Sequence, residues 1–309
     1  MREALAQQLN GIDSVELTER PDPAPAAGQV LIRVHGAGVG LWDVGFVSGL
    51  FPGVAVPFVP GQEVAGVVEA AGDGAGVQPG DRVYASLFPA GGGFAELAVA
   101  QADKLAPMPG RVSFQEAAGL VIAAGTAHKG LVSLGRLQPG ETVLITAAAG
   151  GVGSVAVQIA AAQGARPLGV ASPANHDYVR GLGASDVFDY HAADWVQQVR
   201  AAVPGGVDVL FDAAGGQTRD QALGGVRDGG RALFIVLADP PAQLERGITG
   251  ESFAGDITRE RLEAVGRLVD EGQLRPQVEA VLPLEQAREA LARVAGRHTR
   301  GRVVLRIGQ

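Results

Sequence analysis

The chain has 309 residues, a formal net charge of −8 and no cysteine. The lack of cysteine excludes disulfide bonds, thiolate metal sites and a cysteine nucleophile, and the acidic balance disfavours nucleic acid as a partner. Hydrophobic residues make up 47% of the sequence and charged residues 19%, a composition typical of globular rather than disordered proteins. The first ten residues lack the apolar core of a signal peptide, so we expect a cytoplasmic location.

The first third of the chain has the pattern of short strands separated by turns. Strands are predicted at residues 29–35, 62–70, 82–84 and 94–100. The last two follow the turn-forming sequences Pro-Gly-Asp and Gly-Gly-Gly. Strands spaced in this way predict a compact, barrel-like β domain.

A different pattern begins near Ser113, which forms a capping box with Glu116 and predicts the start of a helix. Beyond it, strands are predicted at 142–147, 167–171, 187–190, 207–212 and 231–237, and helices at 154–163, 175–182 and 194–203. This alternation predicts an α/β domain whose parallel sheet is covered by helices on both faces. Two further helices, 259–271 and 284–297, and a strand at 302–307 follow.

Residues 142–165 form an apolar stretch that is long enough to cross a bilayer. Its centre is Ala-Gly-Gly-Val-Gly, its side chains are mostly small, and no aromatic residues flank it. We therefore expect a buried strand, a glycine turn and a buried helix here, and no contact with a membrane.

This glycine turn carries the motif that points to a ligand. Gly151, Gly153 and Ala156 form G-x-G-x-x-A between the predicted strand and the predicted helix. In a dinucleotide-binding unit, the first glycine permits the tight turn and the second lets the pyrophosphate approach the backbone, while the helix start offers N–H groups to the phosphates. The motif alone is weak, but its place between a strand and a helix predicts a dinucleotide site. The alternative is a glycine-rich turn that binds nothing.

The tip of the second strand indicates which dinucleotide is bound. NAD-binding units usually carry Asp or Glu there, bound to the ribose 2′-hydroxyl. Here the tip is Ala171 and Ser172, without a carboxylate, and Ser172 and Asn175 can donate hydrogen bonds to a 2′-phosphate. The sequence therefore favours NADP(H) over NAD(H), although the tip has neither Lys nor Arg. The alternatives are that Ser172 is a plain turn residue and Asn175 a plain helix cap.

Several short motifs follow one another along the whole chain. They are P-G-Q-E-V-A-G-V-V at 60–68, P-G-D-R-V at 79–83, G-F-A-E at 93–96, G-T-A at 125–127, A-A-A-G-G-V-G-S-V-A-V-Q-I-A at 147–160, L-G-A at 182–184 and G-R-V-V-L at 301–305. Each motif alone is weak evidence for a family, whereas all of them in this order are specific evidence. In this order they resemble the medium-chain dehydrogenase/reductase superfamily, in its quinone oxidoreductase (zeta-crystallin-like) branch.

The resemblance implies a Rossmann doubly wound parallel sheet inserted in a GroES-like domain of β-barrel type. The expected division is a GroES-like substrate domain at 1–118, a Rossmann NADP-binding domain at 119–255, and a C-terminal segment at 256–309 that returns to the substrate domain. The resemblance also implies an active site in the cleft between the domains, and a homodimer. Zinc-dependent relatives bind zinc through Cys and His. This chain has no Cys, and Gln62 stands at the position of the His, so we expect no metal site.

By position, the resemblance implies a coenzyme site drawn from several segments of the chain. Pyrophosphate would contact Gly151, Val152, Gly153 and Ser154, with Gly150 beside them. The adenosine ribose and its phosphate would contact Ser172, Asn175 and Tyr190. The adenosine and nicotinamide parts would be lined by Ala213, Ala214, Ile235, Val236 and Leu237. Thr126 would lie near the nicotinamide and is the candidate catalytic residue, the alternative being a local role in its helix turn.

The first predicted domain departs from the family pattern N-x-x-D-x-x-x-R-x-G-x-Y. Asp43 and Gly49 match it, but Gly40, Val47 and Phe51 replace Asn, Arg and Tyr. No Ser-His-Asp grouping is evident and the histidines are scattered, so the coenzyme must carry the chemistry. We expect hydride transfer from NADPH to a quinone or to the β-carbon of an α,β-unsaturated carbonyl. The three replacements keep an alternative open, namely an NADPH-binding redox sensor or reservoir with little catalysis.

Overall fold

The computed structural model describes residues 1–236 and 243–308. The strands in these ranges are β1 (Arg2–Ala6), β2 (Val15–Glu19), β3 (Gln29–Val39), β4 (Glu63–Ala71), β5 (Arg82–Ser86), β6 (Leu97–Gln101), β7 (Leu105–Pro107), β8 (Thr142–Ile145), β9 (Arg166–Val170), β10 (Asp186–Phe188), β11 (Val207–Asp212), β12 (Val226–Phe234), β13 (Thr249–Ser252), β14 (Val278–Pro283) and β15 (Arg302–Arg306). The α-helices are α1 (Leu41–Val47), α2 (Phe114–His128), α3 (Gly151–Ala162), α4 (His176–Gly181), α5 (Trp195–Ala202), α6 (Gly216–Ala222), α7 (Arg259–Asp270) and α8 (Ala287–Ala295).

The chain forms two compact units. Unit 1 comprises Met1–Ile122, Ile257–Asp270 and Pro276–Gln309, and unit 2 comprises Ala123–Asp256 and Glu271–Arg275. Each unit has a sheet of its own.

Unit 1 is built on a mostly antiparallel sheet with the order β14-β15-β3-β4-β5-β7, in which β6 also pairs with β3. Along β3, alternate residues Val30, Ile32 and Val34 are fully buried, as the period of two in a strand predicts. They pack with Val64 of β4 and with the apolar side of α8, including Leu291, in one core. The strands at 29–35, 62–70, 82–84 and 94–100 are confirmed, with small shifts at their ends.

Unit 2 is built on a parallel sheet with the order β10-β9-β8-β11-β12-β13. The order reverses between β8 and β11, which is the switch point at which doubly wound sheets bind ligands, outside the carboxyl ends of the strands. Leu144, Leu168 and Leu210, from adjacent strands, form a core with Trp195 of α5. The predicted doubly wound sheet is confirmed, and its carboxyl edge carries the residues that follow β8, β9, β10, β11 and β12.

Some elements differ from the prediction for local physical reasons. β12 begins at Val226 rather than at 231, because Gly229 and Gly230 interrupt the apolar pattern inside the strand. β13, Thr-Gly-Glu-Ser, is exposed at every position and so has no apolar alternation to detect. The capping box is confirmed, since Ser113 Oγ accepts the Glu116 N–H at 3.2 Å and the Glu116 carboxylate accepts the Ser113 N–H at 2.8 Å.

The helical stretch Phe114–Leu134 is, within the described ranges, the one helix long and apolar enough to cross a membrane. About 67% of its most apolar window is buried inside the protein, as in the core helix of a globular fold. Residues 142–165, the stretch that raised the same question in the sequence, form β8, the glycine turn and α3, as predicted.

Candidate functional site

The glycine turn between β8 and α3 offers backbone donors at the carboxyl edge of the parallel sheet. Ala147 adopts a left-handed conformation (φ 48°), and its carbonyl accepts the Gly150 N–H at 2.9 Å. Ser154 N–H donates to the Gly150 carbonyl at 2.9 Å. The N–H groups earlier in α3 precede any helical carbonyl that they could bind. Gly150, Gly151 and Val152 are half-buried, so the turn can present these donors to an anion such as a pyrophosphate.

Gly153 and Ser154 serve the structure of the turn itself. Gly153 is buried, and a Cβ at this position would collide with the backbone of Ala147. Ser154 is fully buried, and its hydroxyl donates to the Gly151 carbonyl at 3.3 Å. The accessible part of the predicted pyrophosphate motif is therefore the part before Gly153.

Two buried polar side chains join the ends of β8 and β11. Thr146 Oγ1 donates to Asp212 Oδ1 at 2.6 Å and accepts the N–H groups of Ala213 and Ala214 at 2.9 and 3.1 Å. The Asp212 carboxylate accepts the Gly215 N–H at 3.1 Å. Burial raises the pKa of Asp212, against the effect of these hydrogen bonds. Because their N–H groups are bound within the protein, Ala213 and Ala214 can contact a ligand only through carbonyls and side chains.

Thr146 and Asp212 were not among the residues predicted from the sequence. Each is a buried polar residue that directly follows three buried apolar residues of its strand. That pattern is the signal by which the sequence could have indicated them.

The tips of β9 and β10 lie side by side, since the Ala171 N–H donates to the last residue of β10 at 3.0 Å. Ser172 Oγ accepts the Asn175 amide Nδ2–H at 3.1 Å, which leaves the hydroxyl proton of Ser172 available to a ligand. Tyr190 is 40% exposed, and its ring contacts that of His191 with centroids 4.0 Å apart. The structure thus places the three residues predicted for the ribose phosphate at neighbouring strand ends.

Two histidines that the sequence did not assign to a site lie at these same strand ends. His176 Nε2 donates to the Ala171 carbonyl at 3.2 Å, and His191 Nδ1 donates to Asp189 Oδ1 at 2.9 Å. The pKa of Asp189 is lowered, first by the hydrogen bond from the His191 backbone N–H and further by the charges of both imidazoles. The pairing of β9 with β10 puts His176 and His191 after neighbouring strand ends, and no spacing rule in the sequence reveals this.

The remaining predicted residues lie on α2 and after β12. Thr126 is buried in the last turn of α2. Ile235 and Val236 follow β12 and are half-buried, and the Ile235 N–H donates to the Asp212 carbonyl at 3.1 Å. Leu237 lies outside the described residues.

In unit 1, two of the three positions that depart from the family pattern are filled by apolar packing. Val47 is fully buried in the core. The Phe51 ring contacts those of Phe46 and Trp42, with centroids 4.4 and 5.4 Å apart. Apolar and aromatic contacts therefore replace the Arg and Tyr of the family pattern.

A buried ionic cluster joins α1, β4 and β15 of the same unit. Asp43 Oδ1 accepts the Gly61 N–H at 2.8 Å, and Glu63 forms an ion pair with Arg302 and accepts the Ile122 N–H at 2.7 Å. Burial raises the pKa of Asp43 to about 6 and lowers the pKa of Arg302 to about 10. The Glu63 of the P-G-Q-E motif thus has a structural role, which holds three chain segments together.

The structure also bears on metal ligands. Across residues 1–236 and 243–308, no three His, Asp or Glu side chains are grouped to hold a metal ion. Gln62, at the position expected for a zinc-binding His, is fully buried.

The chain is similar to known oxidoreductases over its whole length. Residues 26–110 match the family model of the alcohol dehydrogenase GroES-like domain, and residues 182–305 match that of zinc-binding dehydrogenase. Mouse quinone oxidoreductase is 32% identical, over 87% of this chain and 86% of the mouse protein. A mycobacterial protein solved in complex with NADPH is 28% identical and has a TM-score of 0.90, covering 99% of both chains. An NAD-dependent alcohol dehydrogenase structure is 29% identical and has a TM-score of 0.92, covering 100% of both chains.

These similarities confirm the predicted combination of a GroES-like domain with a Rossmann sheet. The glycine turn and the carboxyl edge of unit 2 supply the geometry that such proteins use for a nicotinamide coenzyme. The chain therefore belongs to the medium-chain dehydrogenase/reductase superfamily, in its quinone oxidoreductase branch, and is an oxidoreductase that uses a nicotinamide coenzyme.

Proposed function

We propose that the protein transfers hydride from NADPH to a quinone or an α,β-unsaturated carbonyl, without zinc. The observation that carries this proposal is the carboxyl edge of unit 2, where a glycine turn with backbone donors lies on the same edge as a carboxylate-free tip of β9. The Ser172 hydroxyl at that tip has a proton to donate to a 2′-phosphate. The name of the mouse relative and the NADPH in the mycobacterial structure support the proposal.

The protein's part in this reaction is to bind and orient. The bound coenzyme supplies the hydride from C4 of its nicotinamide ring. Backbone N–H groups of Gly151 and Val152 bind the pyrophosphate, and the hydrogen bonds between Thr146 and Asp212 fix the turn after β11. Fixed contacts of this kind lower the barrier by holding the reactants in place before the reaction. Thr126 is the candidate residue beside the nicotinamide.

The surface of unit 1 supports the proposed acceptor class. Residues 44–62 contain no charged side chain. The rings of Trp42, Phe51 and Phe88 are partly exposed, and the Trp42 and Phe88 rings meet edge to face with centroids 5.4 Å apart. Quinones and enones are uncharged and planar, and aromatic rings bind such molecules by stacking and edge contacts. A proton for the product can come from water, so no side-chain acid is required.

The test is the oxidation of NADPH, followed by absorbance, with a panel of quinones, enals and enones, and the same panel with NADH. We expect turnover with NADPH and at least one of these acceptors. The apolar packing of Val47 and Phe51 favours one competing function, an NADPH-binding sensor with little catalysis. Tight NADPH binding without turnover across the panel would support that function instead.

Independence from zinc is tested on the same enzyme. The proposal rests on the absence of cysteine and on Gln62 at the position of the zinc-binding His. We expect elemental analysis to find less than stoichiometric zinc and chelators to leave turnover unchanged. One zinc per chain, lost together with activity, would contradict it.

We also propose a homodimer, on the strength of the family resemblance. The exposed strand β13 is the last strand in the sheet order of unit 2, and edge strands of this kind can pair with another chain. Light scattering after size exclusion should give twice the mass of one chain. The mass of a single chain across the working concentration range would rule the dimer out.

A further inference from the structure

The 2′-phosphate side of the proposed coenzyme site is short of permanent positive charge. Ser172 and Asn175 are neutral donors, and a neutral hydrogen bond contributes less than one from a charged group. Arg180, on α4, is paired with Asp177 at 3.1 Å. A dianionic phosphate at this edge therefore needs another source of charge.

His176 and His191 are placed to supply that charge. His176 is the first residue of α4, and its bond to the Ala171 carbonyl fixes the imidazole beside Ser172. His191 follows Tyr190 and packs on its ring. His176 is half-buried and His191 is exposed, so both can be reached by a ligand from solvent.

The net charge of these three side chains depends on whether the imidazoles carry a proton. Asp189 binds His191 directly, and the charges of both imidazoles act on its carboxyl. Histidine side chains in general gain or lose their charge between pH 5 and 8. When both imidazoles are protonated, their two positive charges outweigh the one carboxylate. When both are neutral, the negative charge of Asp189 is left facing the phosphate, because Asp177 and Arg180 neutralise each other.

We infer that His176 and His191 form the cationic part of a 2′-phosphate subsite, so that the preference for NADPH over NADH is strongest at mildly acidic pH. The inference rests on the proposed function, since it takes the carboxyl edge of unit 2 to be the coenzyme site. In this subsite the two histidines take the place of the permanent cation that the tip of β9 lacks.

The test is an equilibrium titration of the folded protein with NADPH and with NADH, followed by nicotinamide fluorescence at pH 6, 7 and 8 and constant ionic strength. The quantity of interest is the ratio of the two dissociation constants, NADH over NADPH. We expect this ratio to fall about tenfold from pH 6 to pH 8, which corresponds to one charge-assisted hydrogen bond. The phosphate itself gains negative charge as pH rises through about 6, so a site without histidines would show the opposite trend.

Three variants complete the design. The double variant H176Q/H191Q should have a low ratio that does not fall with pH, and H191K should keep a high ratio at pH 8. H298Q removes a histidine of unit 1 outside the cluster and should behave like the unmodified protein. If NADPH binds but the ratio is independent of pH, or falls equally in the double variant, the inference is wrong and the proposed function stands. If neither coenzyme binds at any pH, the proposed function fails and the inference fails with it.

Discussion

Thr146 Oγ1 donates to Asp212 Oδ1 at 2.6 Å, across 66 positions of sequence, and both side chains are completely buried. A similar Thr–Asp pair, half-buried and joined by Arg227, lies at the opposite ends of the same two strands. There Thr142 Oγ1 donates to Asp208 Oδ2 at 2.9 Å and accepts the Asp208 N–H at 3.1 Å. The first pair lies at the proposed coenzyme edge and the second at the far edge, so the two offer a matched comparison.

We expect the two threonine pairs to differ in their effect on NADPH binding. Thr146→Val keeps the shape of the side chain but leaves the N–H of Ala213 without its acceptor, so we expect a loss of about 1–3 kcal/mol in the free energy of unfolding. The turn after β11 also becomes less ordered, so NADPH should bind about tenfold more weakly. Thr142→Val should lower stability without changing NADPH affinity. Urea denaturation and fluorescence titration measure both quantities. Equal effects on affinity in the two variants would show that the Thr146 pair has only a structural role.

The second prediction concerns the buried ion pair of unit 1. Arg302→Met leaves the Glu63 carboxylate buried without its partner, so we expect a loss of about 3–5 kcal/mol in the free energy of unfolding. The double variant R302M/E63Q should recover part of this loss, because the uncompensated charge is gone. Arg33 and Glu69 provide the control, an exposed pair at 2.9 Å, for which R33M should cost about 1 kcal/mol or less. Similar losses in R302M and R33M would contradict the assignment of Glu63 and Arg302 as a buried, structural pair.

The third prediction tests the glycine turn. A substitution at Gly153 is a poor probe, because a Cβ there collides with the Ala147 backbone and disturbs the fold. Val152→Asp is better, since a carboxylate in the first turn of a helix stabilises the helix while it repels a pyrophosphate. We expect NADPH affinity to fall at least about tenfold, with unfolding unchanged or slightly improved. Val152→Asn, of nearly the same shape and without charge, should lose far less. Unchanged NADPH affinity in V152D would place the pyrophosphate elsewhere.

The fourth prediction concerns coenzyme choice. Ser172→Asp puts a carboxylate at the tip of β9, where it repels a 2′-phosphate and accepts the free ribose hydroxyls. A change of this size, about 1.5–3 kcal/mol, shifts the coenzyme ratio by one to two powers of ten. The catalytic efficiencies with NADPH and NADH, measured with one acceptor, should therefore favour NADPH in the unmodified protein and NADH in S172D. Ser172→Asn is the uncharged control. A ratio untouched by the substitution would show that Ser172 does not contact this part of the coenzyme.

The regular elements of unit 2 could largely be predicted from the sequence, for a physical reason. Each of its inner strands is a short apolar run bounded by glycine or polar residues, and buried parallel strands have that pattern. α6, Gly-Gln-Thr-Arg-Asp-Gln-Ala, has no apolar periodicity, so the sequence pattern does not predict it. In unit 1 the sequence does not predict β1 and β2, because their residues do not combine alternation with clear turn signals.

The candidate site could be predicted only where a local motif specifies it. The glycine turn and Ser172 lie at fixed distances along one βαβ unit, so the sequence indicates them directly. Thr146 meets Asp212, and His176 and His191 lie after neighbouring strands, because parallel strands end at the same edge, and that depends on register rather than spacing. The hydrogen bond from the Ser154 hydroxyl to the Gly151 carbonyl depends on a side-chain direction that the motif does not encode.

The central claim, hydride transfer from NADPH to a conjugated acceptor, is tested most directly by isotope transfer. NADPH carrying deuterium at both C4 positions is incubated with the protein and an enone from the acceptor panel, and the product is analysed by mass spectrometry and NMR. We expect one deuterium at the β-carbon of the saturated product, none at the β-carbon when unlabelled NADPH is used in D₂O buffer, and strongly reduced transfer in V152D. NADPH that binds the folded protein yet delivers no deuterium to any acceptor would contradict the claim.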